Sequence, residues 1–230
     1  MNIMEGINSY FRQLSSKDIE EKKHRGFVGG MWDEIGALQF EFLVNSGLKP
    51  KHKLLDIGCG CLRGGVKYID YLDLQHYHGV DINESLIKAA YKEIEEYKLE
   101  EKQANLIVSD SFEFEKFGTQ FDYMVSISLF THLPLQNVVK CLIKARESLT
   151  ETGTYYATYF ESPFPAYLDD LEQKPGGKVT KYDRDPFHYS NQEIEYIAEL
   201  AGLKVEIIGD WGHPRNQKMA AFRHKKTAKS

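Results

Sequence analysis

The stretch Lys53-Leu-Leu-Asp-Ile-Gly-Cys-Gly-Cys-Leu-Arg-Gly-Gly65 constrains this chain more than any other. It reads as a buried strand, Leu54 to Ile57, that breaks into a glycine turn and then into a helix. Glycine at positions 58 and 60 lets the backbone turn tightly and approach a ligand closely, because no Cβ stands in the way. The start of the following helix offers unpaired N–H groups and a positive dipole end, which suits an anionic group. A nucleotide-like cofactor satisfies all of this, and so does an ordinary strand–helix turn. The residues downstream decide between them.

The rest of the chain alternates strand and helix. His78 to Asp81 is a second strand ending in a carboxylate, and a helix follows at about Glu84 to Tyr97. That helix buries Leu86, Ile87, Ala90, Ile94 and Tyr97, with Asn83 as its N-cap. Asn105 to Ser109 is a third strand and Phe121 to Ser128 a fourth. A helix at Leu135 to Leu149 leads to a fifth strand at Gly153 to Phe160. Residues 162–190 then break the pattern with Pro163, Pro165, Pro175, Pro186 and Gly176-Gly177, and a connection this long reads as a lid or binding loop. A last helix, Asn191 to Ala201, precedes strands at Lys204 to Gly209 and Gln217 to Arg223. The short 210–216 linker makes those two antiparallel. The fold class is therefore α/β, Rossmann-like: a mostly parallel sheet of seven strands, its last strand reversed, with helices on both faces.

Ahead of the glycine turn, residues 1–15 have the pattern of an amphipathic helix, with Ile3, Ile7, Tyr10, Phe11 and Leu14 on one face. Residues 15–25 are charged and solvated. A helix from Met31 to Asn45 turns Trp32, Ile35, Phe42 and Leu43 inward, with Gly47 as its stop. Two parts are expected: an N-terminal helical cap, 1–49, and a cofactor-binding domain, 50–230. The cap would close over the cofactor mouth through Trp32 and Gln39, or pack Trp32 as core, and the 1–15 face could equally join two copies in a homodimer.

Composition removes other classes. Net charge is −5 over 230 residues, so no basic field of nucleic-acid size is implied. No apolar run reaches bilayer length and no signal-peptide core is visible, so a cytoplasmic protein is expected. Cys59, Cys61 and Cys141 make neither a disulfide framework nor a zinc site, and no metal is expected.

In an open parallel sheet, ligands bind beyond the C-terminal strand ends. Gly58, Asp81, Asp110 and Ser128 stand at those ends. Asp81 has two acceptor oxygens for the two ribose hydroxyls, and Asp110 can accept an adenine amine. A nicotinamide dinucleotide needs a third glycine where Arg63 stands, and a second nucleotide-binding half, which the chain lacks. No Gly-Lys-Ser/Thr follows the turn, which excludes a Walker loop.

With these residues in place, the sequence resembles the class I S-adenosylmethionine-dependent methyltransferases, and within them a small bacterial-type subgroup. Leu54-Leu-Asp-Ile-Gly-Cys-Gly60 is similar to their first motif. Gly79-Val-Asp-Ile82 is similar to the acidic strand end that holds the ribose. Ser109-Asp-Ser111 matches the adenine side, and Phe121 to His132 the fourth motif. Cys61 departs from the pattern, standing where many members have a third glycine. The resemblance covers about residues 50–225. It implies that Gly58 and Gly60 line the methionine part of S-adenosylmethionine and that Asp56 supports the loop. The cofactor set it suggests is Asp56, Gly58, Gly60, Arg63, Asp81, Ile82, Asp110, Ser111 and Ser128, with Trp32 and Gln39 from the cap. Arg63 would pair with the cofactor carboxylate. S-adenosylhomocysteine would be the product.

Methyl transfer from a sulfonium needs a positioned acceptor, and a base if that acceptor is a hydroxyl. His132, His188 and His213 are the candidate bases, all on loops beyond strand ends. Tyr155, Tyr156, Tyr159, Tyr182 and Tyr189 give the expected site an aromatic character, and residues 167–184 could order over substrate. The function expected is O- or N-methylation of a small-molecule or sugar-like acceptor, with no nucleic acid and no membrane as partner. Methylation of a protein side chain or carboxyl group, or a methyltransferase-fold protein that binds without chemistry, are the alternatives.

Overall fold

The segment ahead of the glycine turn folds into three helices: α1 (Ser16–Glu20), α2 (Lys23–Phe27) and α3 (Trp32–Asn45). The computed structural model describes residues 8–225, which divide into a unit of residues 9–111 and a unit of residue 8 with residues 112–225. Ser15 caps α1 in a capping box with Asp18. The five-residue α2 is too short to persist alone, and its place is fixed by α5, described below.

The first unit carries the glycine turn. Strand β1 (Leu54–Ile57) is buried at every position and is followed by α4 (Gly65–Tyr71) and β2 (Tyr77–Asp81). Next come α5 (Glu84–Glu96) and β3 (Asn105–Val108). Both pairings are parallel: Leu54 faces Tyr77 through to Ile57 facing Val80, and His78 faces Asn105 through to Asp81 facing Val108. Parallel neighbours need crossovers, and α4 and α5 supply them.

Two expectations change here. Residues 1–7 of the expected first helix lie outside the described residues. The remainder is a 3₁₀ turn at Ser9–Phe11 and then irregular chain to Ser15. The cause is visible in its hydrogen bonds. The carbonyls of Tyr10 and Arg12 accept from Asn83 Nδ2 at 2.8 and 2.9 Å, and Leu14 N–H donates to Ser85 Oγ at 2.8 Å. These groups bind α5 rather than the next turn of a helix. Tyr97 is exposed rather than buried, because it lies one residue past α5 and presents its hydroxyl to Trp32 Nε1 at 3.1 Å.

The second unit contains β4 (Phe121–Ser126), α6 (Leu135–Ser148) and β5 (Leu149–Glu161). The long connection, read as a lid or binding loop, carries short strands. It holds an antiparallel hairpin, β6 (Leu171–Gln173) and β7 (Lys178–Thr180), and a short strand β8 (His188–Tyr189). Then follow α7 (Asn191–Leu200), β9 (Leu203–Asp210) and β10 (Lys218–His224). Gly176-Gly177, both with positive φ, form the hairpin turn, a short-range signal that proline density masked. Strands β4 and β8 run parallel to β5, whereas β10 is antiparallel to both β5 and β9. Tyr155, Phe130 and Phe222 pack ring to ring at the centre of this unit, with centroids 5.8–6.3 Å apart. The chain is thus α/β with a mostly parallel sheet and a reversed last strand, as the alternation requires. Among the described residues, no helix is long and apolar enough to cross a membrane.

Candidate cofactor cradle and acceptor-side residues

The cradle forms where β1 and β2 end. Gly58 and Gly60 have φ of +74° and +54°, conformations that a Cβ penalises. The N–H groups of Gly58 and Cys59 both donate to Val80 O, at 2.8 and 3.1 Å, which folds the turn onto the end of β2. Gly60 N–H donates to Asp81 Oδ2 at 2.9 Å, and Asn83 N–H donates to Asp81 Oδ1 at 2.8 Å. The buried Asp81 carboxylate thus accepts from the backbone, with the Ile82 N–H adding to those of Gly60 and Asn83. Burial raises its pKa, and those N–H bonds oppose the rise. Asp56 lies under the turn and accepts from Tyr77 Oη at 2.8 Å. Its burial lifts the carboxyl pKa to about 7, despite that bond. Ile82 beside Asp81 is half-buried, Asp110 is exposed and Ser111 is intermediate, its N–H donating to Ser109 Oγ at 3.3 Å.

The turn has a third left-handed residue beyond Gly58 and Gly60. Cys61 has no unusual backbone conformation, whereas Leu62 has φ +71°. The left-handed residue of the turn is Leu62, fully buried, so a leucine occupies the one further position where glycine would relieve strain. The two late glycines also acquire reasons. A Cβ on Gly64 would lie 2.2 Å from Gln39 Cδ, and one on Gly65 would lie 2.6 Å from Leu62 Cδ2 and 2.7 Å from Tyr77 Oη. Gly64 thus admits the buried Gln39 side chain from α3, and Gly65 admits Leu62.

Arg63 is buried, and its Nη1 donates to Val28 O and Gly30 O at 3.0 and 3.1 Å. The guanidinium ties the α2–α3 connection to the turn, where Val28 Cγ1 stands 3.2 Å from a Cβ built on Gly60. Trp32 packs with Cys61, Leu86 and Ala89, under the Arg25 guanidinium at 4.5 Å. The same Arg25 joins a buried charge cluster on α5. Glu93 accepts from His24 Nε2 at 2.6 Å, Arg25 Nε at 2.8 Å and Arg25 Nη2 at 2.6 Å. Burial pushes the Glu93 pKa up, but these bonds outweigh it and hold the carboxyl below its ordinary range.

The remaining site residues predicted from the sequence belong to the second unit. Ser128, two residues past β4, has φ +65°. Its N–H donates to Thr158 Oγ1 at 2.7 Å, and its hydroxyl meets Gln217 Oε1 at 3.1 Å and Gln217 Nε2 at 2.9 Å. His132 ends the 3₁₀ turn Phe130–His132, with Nδ1 2.6 Å from Asp185 Oδ2. His188 is buried between Phe160, stacked at 5.2 Å, and Tyr167. Its Nδ1 lies 3.1 Å from Thr180 Oγ1 and its Nε2 2.8 Å from Gln173 Oε1. Burial lowers its pKa to about 4. His213 is also buried, stacked on Trp211, with Nδ1 accepting from Arg215 N–H at 3.1 Å.

Asn83, Val28, Gln173, Asp185, Thr158 and Gln217 complete these arrangements, and sequence reasoning assigned none of them to a site. Only Asn83 carried a local signal, as an N-cap. The others act on residues 30 or more positions away, or across a hairpin, where spacing carries no information.

Residues 55–155 match the family described as a methyltransferase domain. Among solved structures, the CcbJ methyltransferase from Streptomyces caelestis is similar at 15% identity and TM-score 0.65, over 94% of this chain and 98% of that one. The magnesium protoporphyrin IX methyltransferase ChlM from Synechocystis PCC 6803, with bound SAH, gives 15% identity and TM-score 0.60 over 84% and 85%. The glycopeptide N-methyltransferase MtfA, complexed with S-adenosyl-L-methionine, gives 12% and 0.62 over 83% and 94%. At these identities the likeness is one of fold.

Proposed function

We propose that this chain, whose residues 55–155 match a methyltransferase domain and whose fold is like that of solved methyltransferases, methylates an oxygen or nitrogen of a small-molecule or sugar-like acceptor. The observation that carries this reading is Asp81, a buried carboxylate at a strand end held by backbone N–H groups. Its two acceptor oxygens fit a ribose diol. The left-handed Gly58 and Gly60 fit the close approach of a methionine chain. Ile82 offers an apolar face to a base, and the exposed Asp110 an acceptor for its amine.

When bound, S-adenosylmethionine supplies a methyl group on a positively charged sulfur. The protein's residues then bind, orient and receive the proton. Asp81 fixes the nucleoside end, and the turn held by Asp56 and Tyr77 fixes the other. Asn83 and Arg63 hold the 10–30 segment against this cradle, in keeping with a cap that limits water.

Calorimetry with S-adenosylhomocysteine and tritiated-methyl transfer into cell extract test the reading together. Wild type should bind, and Asp81→Ala should lose affinity by about 10²-fold, as loss of charged hydrogen bonds implies at roughly 1.5–3 kcal/mol each. Label should enter the small-molecule fraction. Label in macromolecules would replace the acceptor class, and no binding by wild type would end the proposal.

A further inference from the structure

Gln39 is a polar side chain that the fold buries without giving it a partner. It lies on α3 and is 5% exposed. Its backbone carbonyl accepts from Tyr68 Oη at 2.9 Å. Among the described residues, its side-chain amide has no hydrogen-bond partner. A buried amide in that condition is costly unless a ligand or a water completes it. Trp32, the other cap residue expected at the cofactor, is a different case. Its Nε1 donates to Tyr97 Oη at 3.1 Å and its ring packs with Cys61, Leu86 and Ala89.

The close approach of α3 to the glycine turn holds the amide in place. A Cβ on Gly36 would lie 2.5 Å from Arg63 O, so a glycine is needed for the helix to come this near. Farther along α3, Gln39 Cδ, Nε2 and Oε1 lie 2.2, 2.4 and 2.7 Å from where a Cβ on Gly64 would stand. All three atoms of the amide thus rest against one face of Gly64. The φ of Gly64 is −94°, a conformation open to any residue. Its backbone has no need of glycine, whereas the amide beside it does. Gln39 and Gly64 belong to the same unit as Gly58, Gly60 and Asp81.

We propose that the Gln39 amide binds the amino-acid end of the cofactor, with Nε2 donating to its carboxylate and Oε1 accepting from its ammonium. This rests on the methyltransferase reading above, in which the methionine chain approaches Gly58 and Gly60 while Asp81 takes the ribose. An amide carries donors on nitrogen and acceptor sites on oxygen. A zwitterion presents the matching pair, a carboxylate that only accepts and an ammonium that only donates. A single neutral group can therefore serve both charges of that end, and each bond is charge-assisted. Gly64 is then a positioning residue, because it sets where the amide lies.

The test is calorimetry of the full chain with two probes, S-adenosylhomocysteine and 5′-methylthioadenosine, which is the same nucleoside thioether without the amino-acid end. Wild type should bind the first more tightly. Gln39→Met keeps the length and packing of the side chain and removes its polar atoms. It should weaken S-adenosylhomocysteine by about tenfold or more and leave 5′-methylthioadenosine within about twofold of wild type. Gly64→Ala should give the same selective loss, since the added methyl displaces the amide without straining the backbone. The ratio of the two affinities is read on the folded fraction of each variant, so a destabilised variant still reports it. A wild-type ratio in either variant would overturn the proposal, and that is the result expected if a water alone completes the amide. Equal weakening of both probes, or equal binding of both by wild type, would overturn it too. Wild type that binds neither probe would instead overturn the methyltransferase reading, and this inference with it.

Discussion

His188 sits between the rings of Phe160 and Tyr167 with both nitrogens engaged, and burial holds its pKa near 4 against 6.5 for the free side chain. Below pH 6.5 the unfolded chain takes up a proton that the folded ring refuses. The stability His188 contributes is therefore complete above that pH and is lost as pH falls through about 4. Between pH 7 and 5 the loss is roughly 2 kcal/mol. Urea denaturation at the two pH values should show His188→Gln with a pH dependence smaller by about that amount; equal dependences would refute the assignment. Buried His78 acts in the same direction, whereas Asp56, raised to about 7, acts in the opposite one over pH 3.8–7. At this scale the sequence was legible where a residue acts on its own neighbourhood. Asn83 as a cap, Gly58 and Gly60 as turn residues and Asp81 as a strand-end carboxylate could all be read. Leu62 could not, because a leucine carries no local signal for the left-handed backbone it adopts here.

Helix α2 shows what an element owes to its partner. Five residues form no stable helix in water, and their place is set by Glu93 on α5, which gathers His24 and Arg25. Removing one member of a buried ion cluster leaves the others desolvated, at about 3–5 kcal/mol. Glu93→Ala should therefore raise hydrogen exchange across residues 16–30 while β1–β3 amides stay protected. Equal loss across both would show that the cluster supports the whole unit rather than this segment. Long periodic elements such as α3, α5 and α6 were readable within a few residues. The first described turn was not, because its carbonyls go to Asn83, a partner more than 70 positions away. The β6–β7 hairpin was hidden for a different reason: its strands are three residues each, too short for a period to show.

For the whole molecule, the alternation of strand and helix carried the fold class, and the strand-end residues carried the cofactor reading. The 162–187 and 211–217 segments make contacts that join distant positions, so neither composition nor spacing reports their arrangement. A ligand that binds only the folded state at 100 times its dissociation constant adds about 2.7 kcal/mol, worth roughly 5–10 °C in a chain of this length. Wild type should show that upward shift in melting temperature with S-adenosylhomocysteine, and Asp81→Ala should not. Gln173 carries a consequence for redesign. One amide meets the His188 ring through its oxygen and the Arg215 carbonyl through its nitrogen. The 162–187 connection and the 211–217 loop are thus joined through this amide. Anyone transplanting a relative's acceptor segment into this scaffold must graft both stretches as a matched pair, since either alone would arrive with half of its joint.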